Sequence, residues 1–172
     1  ARNLFSINSS TGVVSVQGEL DREKPLKDGW GSSAYILEIQ ATEVTVLFPP
    51  PSVTTEVTII LTDVNDEKPT FKSDFYLAEI SENAQSDTPV KFIGPNSVPQ
   101  VFDYDQGNNG SFTLSLEGEE AQYFEITPSE GINEATFMIR IKDSFALDFE
   151  SIKNVSFQII ARERVSTELR SS

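Results

Sequence analysis

The chain has 172 residues, 27 acidic against 13 basic, a formal net charge of −14, and neither histidine nor cysteine. That balance excludes nucleic acid, whose phosphates need a basic footprint, and argues against anionic membrane surfaces. The missing residue types exclude Ser-His-Asp chemistry, a disulfide scaffold, a zinc–thiolate site and a cysteine nucleophile. With 38% hydrophobic and 10% aromatic residues, the chain can still build a core. No apolar run approaches the length of a membrane span and no signal peptide is visible, so the chain reads as an interior piece or a mature chain.

In chain order, the first clear element is "AYILEIQATEV" (Ala34 to Val44), whose apolar residues alternate with polar ones. "FPPPS" (Phe48 to Ser52) is a stiff loop between strands, since proline is excluded from central ladders. "TTEVTIILTDV", "SFTLSLEG", "ATFMIRIKD" and "VSFQIIARE" then read as further strands, rich in β-branched and aromatic residues and separated by turn formers. No segment has the period of an amphipathic helix. The expected fold is all-β, an antiparallel sandwich or barrel.

The chain also repeats itself. "FSINSSTGV" at Phe5 matches "FEITPSEGI" at Phe124, with Gly12 aligned to Gly131, at an offset of 119. "LDRE" at Leu20 matches "LDFE" at Leu147 at an offset of 127, and "ATE" ending at Glu43 matches "ARE" ending at Glu163 at 120. Ordered matches at similar offsets mean two copies of a module of about 120 residues. The first copy starts near its middle, and the second stops before the equivalent of "TTEVTIILTDVND". Half a sandwich cannot bury its faces, so the first copy is not expected to fold alone.

The acidic residues cluster at strand ends and loops: Asp21 and Glu23; Asp63, Asn65, Asp66 and Glu67; Glu82; Asp103 and Asp105; Asp148 and Glu150. Grouped carboxylates repel unless a cation lies among them. An all-oxygen donor set selects a hard ion, and Ca²⁺, with about six to eight oxygens in flexible geometry, suits it better than Mg²⁺. "DYDQGNNGSFTL" starts like an EF-hand loop but fails as one. Asn108 stands where that loop needs glycine, Leu114 where it needs a bidentate glutamate, and the flanks are strands.

"LDRE", "DVNDEKPTF", "ISEN", "DYDQGNNGSF" and "LDFE", in this order, resemble the motifs of cadherin repeats over essentially the whole chain. The resemblance implies tandem Greek-key β-sandwiches of immunoglobulin-like architecture. One repeat's C-terminal part and linker would occupy residues 1–66, and a second repeat, short of its last strand, residues 67–172. It further implies about three Ca²⁺ ions at the junction. Asp21 and Glu23 would ligate from repeat one and Asp63 and Asp66 from the linker, with the Val64 carbonyl assisting. Asn65 and the Glu67 carbonyl would hold the third ion. Asp103, Asp105, the Asn109 carbonyl and Glu163 would come from repeat two. Glu82, Asp148 and Glu150 would serve the next junction downstream. The chain departs from the family pattern at Glu67, usually Asn, and at Glu43 and Glu163, usually Asp. The early glutamate of repeat one lies outside it.

The implied function is a calcium-dependent adhesion or structural segment, on the extracellular side of the plasma membrane, of a single-pass membrane protein anchored by parts outside this chain. Its partners would be other cadherin ectodomains, in cis or in trans, or a heterologous extracellular protein. The alternative is a receptor segment binding its ligand through the repeat-one insertion. Asp21 to Glu43 spans 22 positions against 15 from Asp148 to Glu163, so seven residues are inserted, among them Trp30. Trp30 reads either as packed on its own sandwich or as an exposed partner anchor. Asn8 and Asn154 head glycosylation sequons, as does Asn109, which would face an ion. Each acidic pair taken singly also reads as a solvated turn. Asp21 and Asp148 do not read as a glycosidase pair, because they occupy equivalent places in different repeats. No enzyme is expected.

Overall fold

A computed structural model describes residues 4–28, 33–46, 48–143 and 153–164. The chain divides into two compact units, Ala1–Asp63 and Val64–Ser172.

The first unit opens with a hairpin of β1 (Phe5–Ile7) and β2 (Val14–Val16). Its turn is written in the sequence: the Asn8 side-chain oxygen accepts the amides of Ser10 and Thr11 at 2.9 and 3.0 Å, and Gly12 takes the left-handed φ of +72°. One helical turn, α1 (Lys24–Lys27), follows. Strands β3 (Ala34–Thr42) and β4 (Ser52–Ile60) then pair along nine residues, from Ala34 opposite Ile60 to Thr42 opposite Ser52. The period-two pattern sets Tyr35, Leu37 and Ile39 on one face, opposite Ile59, Val57 and Thr55. The Phe5 ring meets Tyr35 edge-on at 5.3 Å. Even so, none of the fully buried hydrophobic residues among those described belongs to this unit. Two two-stranded ribbons cannot close around a core. A peptide of residues 1–63 is therefore expected to show no cooperative thermal transition by circular dichroism, and a sigmoidal two-state melt would contradict this.

The second unit holds the core. Its larger sheet runs β14 (Gln158–Glu163), β9 (Ser111–Glu117), β11 (Glu130–Ile132), β12 (Glu134–Thr136), β8 (Gln100–Phe102), β5 (Thr70–Phe71). Strands β6 (Leu77–Glu79) and β7 (Lys91–Ile93) pair with each other, as do β10 (Phe124–Thr127) and β13 (Met138–Ile141). The Val90 amide donates to the Ile139 carbonyl at 2.9 Å and the Ile141 amide to the Thr88 carbonyl at 3.0 Å, which ties the approach to β7 onto β13. Val101, Phe112, Leu114, Phe124, Phe137, Ile139 and Ile141 form the buried cluster, drawn from both sets of strands. This is the all-β sandwich expected from the alternating segments.

Two local expectations are corrected. "ATFMIRIKD" is not one strand. It splits into β12, paired with β8, and β13, paired with β10, and the chain changes partners at Phe137. The Phe137 amide bonds to the Pro99 carbonyl at 3.2 Å while its ring lies in the core. Alternation continues through the break, so periodicity alone could not reveal it. Gly131 is also no structural counterpart of Gly12, because it sits within β11 rather than in a turn. Phe5 pairs with Val16 in the first unit, whereas Phe124 pairs with Ile141 in the second. The β11–β12 detour lengthens the second hairpin: Phe124 to its partner Ile141 spans 17 positions against 11 from Phe5 to Val16, six of the eight by which the offset grows between the first match and "LDRE"/"LDFE".

Candidate metal centre

In the first unit the "LDRE" turn is set by Asp21, whose Oδ1 accepts the amides of Glu23 and Lys24 at 2.9 and 2.7 Å. This caps the single turn α1. Arg22 contacts two acids: its Nε lies 2.5 Å from a Glu23 carboxylate oxygen and its Nη2 lies 2.5 Å from Asp63 Oδ1. Glu23 and Asp63, 40 positions apart in the chain, thus share one guanidinium. Glu43 is exposed just beyond β3.

In the second unit Asp103 and Asp105 follow β8 and are 2% and 0% exposed. Asp103 Oδ1 accepts the Asp105 amide at 3.1 Å, and Asp105 Oδ2 accepts the Glu67 amide at 3.1 Å. A carboxylate oxygen of Asp66 lies within 4.8 Å of one of Asp105. Val64, Asn65 and Asp66 are exposed, Glu67 and Asn109 half-buried. Glu163 ends β14 opposite Phe112. Burial raises the Asp103 carboxyl above its ordinary 3.8; the Asp105 amide opposes this, and the charges of Asp105, Glu163 and Glu67 add to it. Asp103 Oδ2 is buried with no hydrogen-bond partner. A buried carboxylate oxygen without a donor, among other carboxylates and with no histidine or cysteine in the chain, fits a hard cation with oxygen ligands.

One residue that holds the aspartate loop is not legible in the sequence. Asn133, at a left-handed φ of +61°, accepts the Asp103 amide on its carbonyl at 2.8 Å, and its own amide donates to the Gly110 carbonyl at 2.8 Å. Its side-chain amide donates to the Asp105 carbonyl. The loop carrying both aspartates, which ends in a 3-10 turn at Gly107–Gly110, is thus clipped from the β11–β12 turn. A Cβ on Gly110 would come 2.6 Å from both Asn133 Nδ2 and the Asp105 carbonyl oxygen. Gly110→Ala is therefore expected to destabilise the second unit by about 1–3 kcal/mol in denaturant melts, and an unchanged midpoint would refute the clip. Nothing local in the sequence marks Asn133, because its role depends on β11 and β12 reaching the loop. Arg22 lay in view within "LDRE", but its reach to Asp63 is tertiary.

The remaining expected sites are scattered or undescribed. Glu82 is exposed beside Asn83, whose φ is +59°. Asp148, Glu150 and Trp30 lie outside the described residues. Asn8 and Asn154 are exposed.

No family model matches the chain. It is 33% identical over 168 residues to Cadherin-86C of Drosophila melanogaster, an alignment covering 94% of this chain and 8% of that protein. To Cadherin-23 of Rattus norvegicus it is 34% identical over 165 residues, covering 95% of this chain and 5% of that protein. Among solved structures, mouse Cadherin-23 EC22-24 superposes with a TM-score of 0.61 at 28% identity, over 82% of this chain and 39% of that one. The chain thus spans only a small part of the length of the curated relatives it matches.

Proposed function

Because this chain belongs to the cadherin superfamily, we propose that it is an extracellular segment whose inter-repeat joint is stiffened by calcium, serving adhesion through the ectodomain that contains it. Cadherin repeats are adhesion modules and not enzymes. The observation that carries the calcium reading is the buried Asp103 carboxylate, with an unpartnered oxygen and only acidic charges acting on it. Asp103, Asp105 and Asp66, with the Glu67 carbonyl and Glu163, would hold the metal from the second unit. Asp21, Glu23 and Asp63 would contribute from the first, and Val64, Asn65 and Asn109 would fill further positions. Calcium supplies two positive charges and about six to eight coordination positions for oxygen. Left to themselves, the linker carboxylates repel one another, so the stretch from Asp63 to Glu67 acts as a charged hinge. Once neutralised and cross-tied, the same residues resist bending and cleavage.

About three ions per joint are proposed from the family resemblance. Glu82, Asp148 and Glu150 are assigned to a second joint on the same ground, and Asn8 and Asn154 to glycan attachment. Partners would be other cadherin ectodomains. No helix among the described residues is long and apolar enough to cross a membrane, and anchoring is assigned to parts of the protein outside this chain. The test is thermal melting with calcium and with chelator. At calcium about a hundred-fold above its dissociation constant, each site should add about 2.7 kcal/mol. Coincident melting curves would defeat the reading.

A further inference from the structure

We propose that Arg22 is a built-in counter-ion for Glu23 and Asp63, which must let go of both when calcium binds and which thereby sets how tightly this chain holds the ion. The inference rests on the calcium reading above.

The geometry separates this arginine from the other ion pairs described. Lys91–Glu79, Arg162–Glu117 and Arg164–Glu130 have side chains 47–75% exposed, the kind of pair that solvent screens to little effect. Arg22 is 10% exposed, with Glu23 at 5% and Asp63 at 13%. Both carboxylates lie 2.5 Å from nitrogens of one guanidinium, and the contact of its Nε with Glu23 is an ion pair rather than an aligned hydrogen bond. The turn that presents Arg22 is held independently of the pairing, because Asp21 caps it through the amides of Glu23 and Lys24.

The two acid groups are therefore prepared differently. Asp103 has only anions among the charges that shift it, whereas Glu23 and Asp63 already share a cation. A metal ion meets carboxylate oxygens at about 2.3–2.6 Å, as close as Arg22 stands to Asp63 Oδ1, at 2.5 Å. A guanidinium and a divalent cation cannot both occupy that oxygen's near shell without strong repulsion. Arg22 must swing away as calcium binds. The arginine thus stabilises the calcium-free chain and weakens its affinity by the same coupling, since linkage is reciprocal.

The test compares the whole chain with Arg22→Met, which keeps much of the apolar stem and removes the charge. Calcium is titrated by calorimetry, and melting is followed in chelator. The variant should bind calcium about ten-fold more tightly, the scale of a charged hydrogen bond released, and should melt lower without calcium. Equal or weaker binding by the variant overturns the proposal. If the wild-type chain itself gives no binding heat, the calcium reading fails and takes this inference with it. Should Arg22→Met fail to fold, the wild-type Arg22 Nε–H resonance decides. It should exchange slowly with water in chelator and rapidly at calcium saturation, and slow exchange in both states overturns the proposal.

Discussion

In chelator, Asp103→Asn should melt higher than the wild-type chain, and in excess calcium it should melt lower. The asparagine retains an oxygen for the Asp105 amide, which bonds Asp103 Oδ1 at 3.1 Å, and removes a charge that is 2% exposed and has one oxygen without a donor. Without the ion, that charge is a cost of about 1–3 kcal/mol, which the substitution relieves. With calcium about a hundred-fold above its dissociation constant, the wild type gains about 2.7 kcal/mol per site, most of which the variant forgoes. Differential scanning calorimetry under both conditions reads the crossing directly. A variant that melts below the wild type in both would show that the carboxylate is not a metal ligand held at a cost.

The same group predicts an unusual pH response. Its folded-state pKa is raised above the ordinary 3.8, so the folded chain binds this proton more tightly than the unfolded one. Its contribution to stability is complete below 3.8 and is lost as pH rises through the raised folded value. In chelator, lowering the pH towards that raised value should therefore stabilise the second unit through this group, and Asp103→Asn should remove that contribution.

Phe137→Ala should cost the second unit about 3–5 kcal/mol, a large share of a typical total of about 5–15 kcal/mol. The ring is 1% exposed. It meets Phe71, Tyr76 and Phe92 edge-on at centroid distances of 5.9, 5.8 and 6.2 Å. Those partners come from β5, the stretch before β6, and β7, so truncating the ring opens a cavity where several strands converge. Guanidinium unfolding followed by tyrosine fluorescence measures the loss, and a shift under about 1 kcal/mol would mean the site collapses around the missing ring.

Much of this protein could be read from residue order alone, and for a physical reason. Strand alternation, Asx turns and carboxylate runs are local devices whose period and chemistry do not depend on distant contacts. So β3, β4, β9 and β14 were legible, as was the gathering of the acidic residues at strand ends and loops. The repeated "LDRE" and "ATE" motifs, with the cadherin-like linker, carry the family in residue order alone. The rest depends on which segments meet. The switch of partners at Phe137 preserves alternation and leaves no trace in the pattern. The Gly12–Gly131 match joined a turn to a strand, because an inserted hairpin looks like mere spacing in one dimension. Asn133 can clip the aspartate loop only once β11 and β12 bring it there, and Arg22 can reach Asp63 only across 40 residues of intervening chain. Residue order determined that the carboxylates cluster; tertiary structure alone decided that one Asp103 oxygen is buried without a donor while Glu23 and Asp63 carry a counter-ion of their own, because burial and pairing depend on what the folded chain places beside each group.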